Sequence, residues 1–489
     1  MSTSTPTTIY WFRQDLRLQD LPGLQAAIAS GRPVIPCYIF DPDSAGDWAP
    51  GAASRWWLHH SLASLAASIE ALGGELLLLQ GDSRALLREL AAANNAHNIY
   101  CSRAYEPAAA ELEQQLNQSL SADGRSLKRY PGSLLFEPEQ IANQSGLPFK
   151  VFTPFWKACR RQPQPSMPGA TPAAGIFAEP ANIASGPCQA RTLQQLKLLP
   201  EQPDWASHWS ELWQPGESGA GDRLQQFLRG GVARYSEGRD HPALEVTTRL
   251  SAHIHHGEIS PRQIWHAAMA MMAEQPSLEQ ELNKFLSELG WREFSCHLLH
   301  HFPQLPEQAF KPLFDNFPWL GQAAALEAWQ RGQTGYPIVD AGMRELWQTG
   351  FMHNRVRMIV ASFLTKHLLI SWQTGEAWFW DTLVDADLAS NACSWQWVAG
   401  SGADASPYFR IFNPTLQGQK FDKAGDYVRQ WVPEIAALPD KHLHEPAAAP
   451  ADILASAGIT LGQDYPEPIV DHRQARQAAL AAYQAIKAA

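Results

Sequence analysis

The first 130 residues alternate short apolar runs with helical patterns. Five runs rich in β-branched or aromatic residues predict buried strands at 9–12, 34–40, 76–79, 98–101 and 127–130. Between them, leucines and alanines recur at helical spacing over 54–72, 83–93 and 107–120. Such helical connections are what parallel strands require. The pattern therefore predicts a parallel-sheet α/β domain over residues 1–130.

The remainder of the chain divides into two parts by composition. Residues 131–220 are rich in Pro, Gly, Ser and Ala, which predicts a long interdomain linker. After the linker the apolar spacing becomes helical throughout, most clearly over 222–228, 261–272, 278–301, 323–331, 341–349 and 353–371. We expect an all-helical domain over residues 221–489, so the fold class is α/β followed by all-α.

Composition and charge narrow the class of protein. With 38 Lys and Arg against 49 Asp and Glu, the net charge is -11, so any contact with nucleic acid must be a local basic patch. The N-terminus lacks a basic segment followed by an apolar one, and the apolar stretch 358–370 is short and contains Lys366, so we expect neither secretion nor membrane insertion. The six cysteines show no metal-binding or disulfide pattern, which favours reduced thiols in the cytoplasm.

Several common catalytic and binding motifs are absent from the sequence. The first predicted strand runs into residues 13–17 without the glycine fingerprint of a Rossmann dinucleotide site, and there is no P-loop or serine-nucleophile motif. The histidine groups at 59–60, 253–256 and 297–301 are not joined to carboxylate or thiolate ligands, so we expect no metal site.

Two kinds of polar cluster remain. Tyr235 and the run 247–251 place hydroxyls and a guanidinium ahead of a helix, a chemistry suited to a pyrophosphate, although such residues are also ordinary helix caps. Glu288, Trp291 and Arg292 share one helix face, and similar mixtures recur at 352–358, 385–387 and 391–397. Because buried charges are costly unless paired, these clusters indicate either a shared polar ligand or an ion-pair network.

These motifs together resemble the DNA photolyase and cryptochrome family over almost the whole chain. Residues 11–17 are similar to the opening strand of the family, and 247–251, 291–294, 352–358 and 385–397 are similar to its flavin and lesion motifs. The segments 335–347 and 379–383 most resemble class III cyclobutane-dimer photolyases.

The resemblance implies that FAD binds to the helical domain. The implied contact residues are Tyr235, Thr247, Thr248, Arg249, Leu250, Ser251, Arg292, Arg357, Asp385, Asp387 and Asn391. Asn391 matches the position that faces flavin N5, where a neutral amide suits the reduced, anionic flavin and favours repair.

For the substrate, the resemblance implies a cyclobutane pyrimidine dimer flipped out of UV-damaged DNA. Trp291 and Trp397 match the aromatic walls of the dimer pocket. Glu288 would hydrogen-bond the carbonyl region of the dimer and stabilise its radical anion. The remaining matching positions are Asn354, Arg355 and Met358 in the pocket, and Arg239 and Gln417 on DNA.

The 19 tryptophans outnumber the 11 tyrosines, and the resemblance gives three of them a use. Trp395, Trp372 and Trp319 match the chain that carries an electron from the surface to photoexcited flavin. The resemblance also implies an antenna pigment, for which we expect 5,10-methenyltetrahydrofolate, with 8-hydroxy-deazaflavin as the alternative and Glu106 as a candidate contact.

The sequence thus predicts a monomeric, light-driven lyase. Reduced FAD would donate an electron to the dimer, the cyclobutane ring would open, and the electron would return without net redox change. The alternative is a cryptochrome-type blue-light photoreceptor without repair activity, which Asn391 and the absence of a long tail after the last predicted helix oppose.

Overall fold

A computed structural model describes residues 6–178, 188–404 and 409–488. Its strands form one parallel sheet in the order β3-β2-β1-β4-β5. The strands are β1 Thr8–Phe12, β2 Val34–Phe40, β3 Leu77–Gln80, β4 Asn98–Ser102 and β5 Ser126–Tyr130. The predicted α/β class and all five predicted strands are confirmed.

The helices of the first part of the chain are α1 Pro22–Ala29, α2 Ala52–Ala71, α3 Ser83–Ala93, α4 Pro107–Ala122, α5 Phe152–Cys159, α6 Trp209–Leu212, α7 Glu217–Gln226, α8 Tyr235–Gly238, α9 Ser251–His255, α10 Pro261–Glu274 and α11 Glu279–His301. Those of the remainder are α12 Ala323–Gln330, α13 Pro337–Thr349, α14 Asn354–Ser362, α15 Trp372–Thr382, α16 Leu388–Ala399, α17 Pro414–Phe421, α18 Asp426–Trp431, α19 Asp440–Leu443, α20 Ala451–Ser456 and α21 His472–Ala488. Two π-helical turns, Phe227–Gly231 and Phe363–His367, follow α7 and α14. The predicted all-helical second half is confirmed.

Both faces of the sheet are buried, as expected of parallel strands. Tyr10 and Phe12 of β1 belong to the core on one face, whereas Ile9 and Trp11 belong to the core on the other. The first core is completed by leucines of α2 at helical spacing, and the second by leucines of α3 and α4. The period of two along the strand therefore divides the apolar side chains between two layers of helices.

One predicted helix is shorter than expected. The apolar pattern predicted a single helix over 353–371, but α14 ends at Ser362 and a π-helical turn continues only to His367. Leu369 then takes a left-handed conformation with φ 50°, and the side chain of Ser371 caps α15. The apolar run is thus a helix followed by a turn. The residues of the turn are buried, so they are as apolar as those of the helix.

The motif that follows β1 is a structural junction. Arg17 is almost completely buried, and its guanidinium donates to the carbonyl oxygens of Asp20, Gly132 and Gly257 at 2.8 to 2.9 Å. Gly257 has φ 70°, and a Cβ atom there would lie 2.1 Å from the carbonyl oxygen of Gln14. The family-like opening segment therefore joins distant parts of the chain.

By compactness the described residues form two units. The first contains the residues up to Ala233 together with Thr248–Pro303 and Val384–Asp387, and the second contains Arg234–Thr247, Gln304–Leu383 and the residues from Leu388 onward. The predicted boundaries at residues 130 and 220 were drawn from composition and periodicity, not from compactness. They therefore stay a prediction.

The described part of the segment 131–220 contains α5, α6 and the start of α7, and residues 179–187 lie outside the description. Phe177 forms a parallel bridge with Val34, so this segment also reaches the sheet. None of the described helices is both long enough and apolar enough to cross a membrane. The expectation of no leader concerns the N-terminus, and residues 1–5 likewise lie outside the described part of the chain.

Candidate functional site

The segment predicted to bind phosphates has an unusual backbone in the first unit. Arg249 has φ 51° and Leu250 is right-handed, with φ -84° and ψ -4°. Successive amides in such paired conformations form a concavity that suits anions. The Thr248 hydroxyl accepts from the Leu250 amide at 3.2 Å, and Ser251 begins α9. This backbone and these hydroxyls fit the phosphates of a flavin nucleotide.

Arg292 and Asp387 are brought together in the same unit. Burial by itself would lower the pKa of Arg292. The nearby Cys296, Asp387 and Glu293 have the opposite and larger effect, so the pKa of Arg292 is raised. The guanidinium also donates to the Ser133 carbonyl oxygen at 2.7 Å. Arg292 is therefore held as a cation beside an acidic residue.

Asp387 also faces a histidine and a second acid. Its carboxylate lies 4.0 Å from His255 Nδ1. The second acid is Glu106. Its burial and the nearby negative charge of Asp387 both raise the pKa of Glu106. Asp385, two residues before Asp387, is buried. The predicted acidic pair is thus part of a larger polar group that includes the candidate antenna contact.

Helix α11 presents two of the predicted substrate residues. Glu288 Oε1 lies 3.4 Å from Lys284 Nζ, one turn earlier on the helix. The ring of Trp291 stacks on that of Phe152 with 3.7 Å between centroids and an angle of 8°. One face of Trp291 is therefore covered by a residue of α5, and stacking on this indole by a base would use its other face.

In the second unit, three charged residues form a cluster. Asp240 Oδ2 accepts from Arg355 Nη2 at 2.8 Å, and Asp240 Oδ1 lies 4.0 Å from Arg239 Nε. The Arg239 guanidinium covers the buried ring of Tyr235 at 5.6 Å. Asp240, which no sequence pattern indicated, thus joins Arg239 and Arg355, and Arg239 in turn contacts Tyr235.

The start of α14 presents the other predicted pocket residues. His353 caps this helix by accepting from the Arg355 amide at 3.2 Å, and Asn354 is exposed. Arg355 Nη1 contacts the Met358 sulfur at 3.8 Å. Arg357 Nε donates to the Met352 carbonyl oxygen at 2.7 Å, which fixes part of its guanidinium to the turn before the helix.

Arg355 also connects α14 to α17. Its guanidinium lies 4.4 Å above the ring of Phe421, the last residue of α17. Gln417, predicted to contact DNA, stands one turn earlier on the same helix. The arginine therefore fixes α14 relative to the helix that presents Gln417.

Asn391 is buried on α16, and its side-chain orientation is fixed. Its Nδ2 donates to the backbone carbonyl oxygen of Glu376 at 3.0 Å. Glu376 itself is completely buried, and its carboxyl oxygens have no hydrogen-bond partner among the described residues. Burial raises the pKa of Glu376 well above its ordinary value. The amide is therefore held by the backbone of a residue whose buried carboxyl has a raised pKa, and no feature of the sequence pattern indicated this.

The three tryptophans of the predicted electron chain all lie in the second unit. Trp395 and Trp372 are buried, and Trp319 is half-buried. The ring of Trp395 contacts Trp329 and Phe379, and that of Trp319 contacts Phe317. No ring contact within the described part of the chain joins two of the three predicted tryptophans. A Cβ atom on Gly375 would lie 2.1 Å from Trp395, so only glycine leaves room for that ring. Trp397, two residues on, is half-buried.

The polar groups that the structure describes do not suggest a metal. No cluster of three or more His, Cys, Asp or Glu side chains within residues 6–178, 188–404 and 409–488 could hold a metal ion. All six cysteines are free thiols.

Comparison with known proteins gives the same assignment for both parts of the chain. Residues 8–173 match the DNA photolyase family, and residues 285–485 match the FAD binding domain of DNA photolyase. Two different segments of one chain thus match two parts of the same family.

Full-length relatives are similar as well. A deoxyribodipyrimidine photo-lyase of Agrobacterium fabrum is 50% identical over 490 residues, which cover 100% of this chain and 99% of the relative. The crystal structure of a class III photolyase from Agrobacterium tumefaciens superposes with a TM-score of 0.93 at 49% identity, covering 100% and 99% of the two chains. Cryptochrome-1 of Arabidopsis thaliana is 36% identical over 96% of this chain and 69% of its own length.

Proposed function

The chain belongs to the DNA photolyase and cryptochrome family, and we propose that it is a deoxyribodipyrimidine photo-lyase that repairs cyclobutane pyrimidine dimers in DNA with light. The observation that carries this proposal is the 50% identity, over both full lengths, to an enzyme of that name. The relative named as a cryptochrome is less similar, at 36% identity.

FAD binds to the contact residues that the family motifs predict. Arg249, Thr248 and Ser251 hold its phosphates through the backbone concavity and hydroxyls, and Arg292, Arg357 and Asp387 complete its polar surroundings. When bound and reduced, FAD would supply the absorption of light and the reversible transfer of one electron to and from the dimer. Asn391 presents a neutral amide to it, and the carbonyl oxygen of Glu376 holds that amide in one orientation.

The substrate is UV-damaged DNA with the dimer flipped out of the duplex. Trp291 and Trp397 stack on the dimer, because a damaged base pair is the cheapest to unstack and aromatic rings bind bases without sequence preference. Glu288 hydrogen-bonds the dimer and stabilises the charge that it gains. Arg355, oriented by Asp240 and Phe421, contacts the dimer beside Asn354 and Met358.

Illumination of dimer-containing DNA tests the proposal. The purified protein, reduced and loaded with FAD, is mixed with an oligonucleotide that contains one thymine dimer and is exposed to blue light. We expect intact thymines to be recovered in the light and not in the dark. A flavin spectrum without recovery of thymines would contradict the proposal and favour a photoreceptor.

A substitution at Glu288 tests its assigned role. Glu288→Ala should lower the repair yield per absorbed photon by about two- to fivefold, because the charge on the dimer loses a hydrogen bond. FAD content should not change. Glu279→Ala, at an exposed position on the same helix, is the matched control. Equal yields for the two variants would remove Glu288 from the mechanism.

We propose 5,10-methenyltetrahydrofolate as the antenna, with 8-hydroxy-deazaflavin as the alternative. The support is the resemblance of residues 335–347 and 379–383 to class III photolyases. Glu106 lies beside Asp387, a predicted FAD contact, which does not favour one pigment over the other. Mass spectrometry of the chromophores released on denaturation identifies the pigment directly.

We also propose that the enzyme acts in the cytoplasm as a monomer. The six free cysteines are typical of a reducing compartment. Size-exclusion chromatography with light scattering tests the monomer, and a dimer mass would overturn it.

A further inference from the structure

Helix α5 lies in the segment predicted to be a linker, yet its position is fixed against α11. Phe152 stacks on Trp291 with 3.7 Å between ring centroids. A Cβ atom on Gly290 would lie 2.7 Å from the ring of Trp156, so glycine allows close approach of the two helices. All of these residues belong to the first compact unit. The surface of α5 therefore keeps a constant position relative to Trp291.

That surface is basic and its charges are not neutralised. Lys157, Arg160 and Arg161 are exposed, and none of them forms an ion pair with any residue that the structure describes. Arg160 lies 5.3 Å above the ring of Trp265, which orients its guanidinium. By contrast, Arg103 of the same unit is paired with Glu137 and Glu139. In a chain with net charge -11, three unpaired neighbouring cations are a local exception.

The length of α5 suits the spacing of phosphates along a nucleic-acid backbone. Residues 152 and 160 are eight positions apart, which corresponds to about 12 Å along a helix. One strand of a DNA duplex carries a phosphate about every 3.4 Å along its axis, so the helix extends past about three phosphates. Cations at one end of α5 can therefore reach the backbone while Trp291, at the other end, contacts a base.

We propose that Lys157, Arg160 and Arg161, here named the α5 basic surface, bind backbone phosphates of the DNA that flanks the dimer on the Trp291 side. The assignment deepens the proposed function and rests on it, because it takes Trp291 as a wall of the dimer pocket. Phosphate contacts of this kind position the duplex and carry no sequence preference. The segment that joins the two predicted domains thus takes part in substrate binding.

The double variant Lys157→Ala/Arg161→Ala tests the proposal and leaves Arg160 in place on Trp265. The matched control is Arg473→Ala/Arg476→Ala, which removes two exposed cations from α21 that likewise form no ion pair with described residues. Affinity for duplex oligonucleotides with one thymine dimer is measured over a range of salt concentrations. One oligonucleotide set has a long flank on the 5′ side of the dimer, and the other has it on the 3′ side.

We expect the α5 variant to bind about three- to tenfold more weakly than wild type, with the slope of log K against log salt smaller by about 1 to 2. This loss of affinity should occur for only one of the two oligonucleotide sets. FAD content, thermal unfolding and repair yield at saturating DNA should equal those of wild type.

Two results would overturn the assignment. Equal affinity and salt slope in the α5 variant and the α21 control would remove the α5 basic surface from the interface. A loss that is the same for both flanks would indicate general attraction by net charge instead of a placed contact. If wild-type protein fails to bind dimer DNA, the proposed function fails and this inference fails with it. If wild type binds and repairs while the variant equals the control, only the α5 assignment fails.

Discussion

Asp340 and Glu376 are both completely buried carboxyl groups of the second unit, yet their surroundings differ. The two oxygens of Asp340 accept four hydrogen bonds of 2.6 to 3.1 Å from Thr334, Gly335 and the Tyr465 hydroxyl. The carboxyl of Glu376 has no partner among the described residues. A buried carboxyl group that accepts hydrogen bonds stabilises the turn around it. A buried carboxyl group without a hydrogen-bond partner lowers the stability of the fold.

Two neighbouring tryptophans repeat this contrast. Trp329 is completely buried, and its Nε1 donates to the Val360 carbonyl oxygen at 3.1 Å. Trp395 packs against Trp329, but its buried Nε1 has no partner within the described part of the chain. Glu376 and Trp395 lie on the helices that hold Asn391, and Asp340 and Trp329 do not. In these two pairs, the members on the helices that hold Asn391 lack partners, whereas Asp340 and Trp329 are hydrogen-bonded.

The largest expected effect is at Asp340. Asp340→Ala should lower the free energy of unfolding by about 3 to 5 kcal/mol, because four buried donors lose their acceptor at once. Chemical denaturation followed by circular dichroism measures this loss. A loss below about 1 kcal/mol would show that the turn finds other acceptors, and the contrast with Glu376 would then disappear.

Trp395→Phe should have the next largest effect, on electron transfer. Light-driven reduction of oxidised FAD should slow by at least about tenfold, whereas repair by enzyme that is already reduced should be preserved. Trp329→Phe is the matched control, and it should lower stability by about 1 to 2 kcal/mol without slowing photoreduction. Equal loss of photoreduction and repair in Trp395→Phe would contradict the electron-chain assignment.

The smallest expected effect is the pH dependence that Glu376 introduces. Its pKa in the folded protein is raised above the unfolded value of 4.5 by burial. Below pH 4.5 both states are protonated and the group has no effect on stability. As pH rises above that value the unfolded state loses its proton first, so the stability of the folded state falls as the pH rises.

Glu376→Gln should remove this dependence. Unfolding free energies measured between pH 5 and pH 8 should rise relative to wild type as the pH increases, and FAD content should not change because the backbone carbonyl of residue 376 still holds Asn391. Asp381→Asn, at an exposed position on α15, is the control and should not alter the slope. Parallel pH profiles for wild type and Glu376→Gln would mean that the carboxyl is ionised in the folded protein.

Much of the fold followed from local pattern. The strands were predicted because β-branched and aromatic runs bounded by helical spacing have few alternatives. Most long helices were predicted for the same reason. The end of α14 was not, because Leu369 turns the chain within a stretch that is apolar throughout. A buried turn and a buried helix have the same apolar composition, so composition does not show where one ends and the other begins.

The site residues were identified differently, by resemblance to family motifs. Tyr235, Arg239 and Arg355 were predicted separately, and Asp240, which joins the two arginines, was missed because a single aspartate in a loop has no periodic signal. Phe152 was missed because its segment has the composition of a linker. Both contacts join residues more than 100 positions apart.

The sequence by itself determined the parallel sheet and the helical second half, because these depend on periodicity, and it supplied the motifs from which the flavin, dimer and electron-transfer residues are proposed. Only the tertiary structure decided which polar groups are satisfied and which are not. The buried carboxyl of the residue that holds Asn391, the aspartate between Arg239 and Arg355, and the stacking of α5 on Trp291 all depend on which distant segments meet, and packing in three dimensions fixes that.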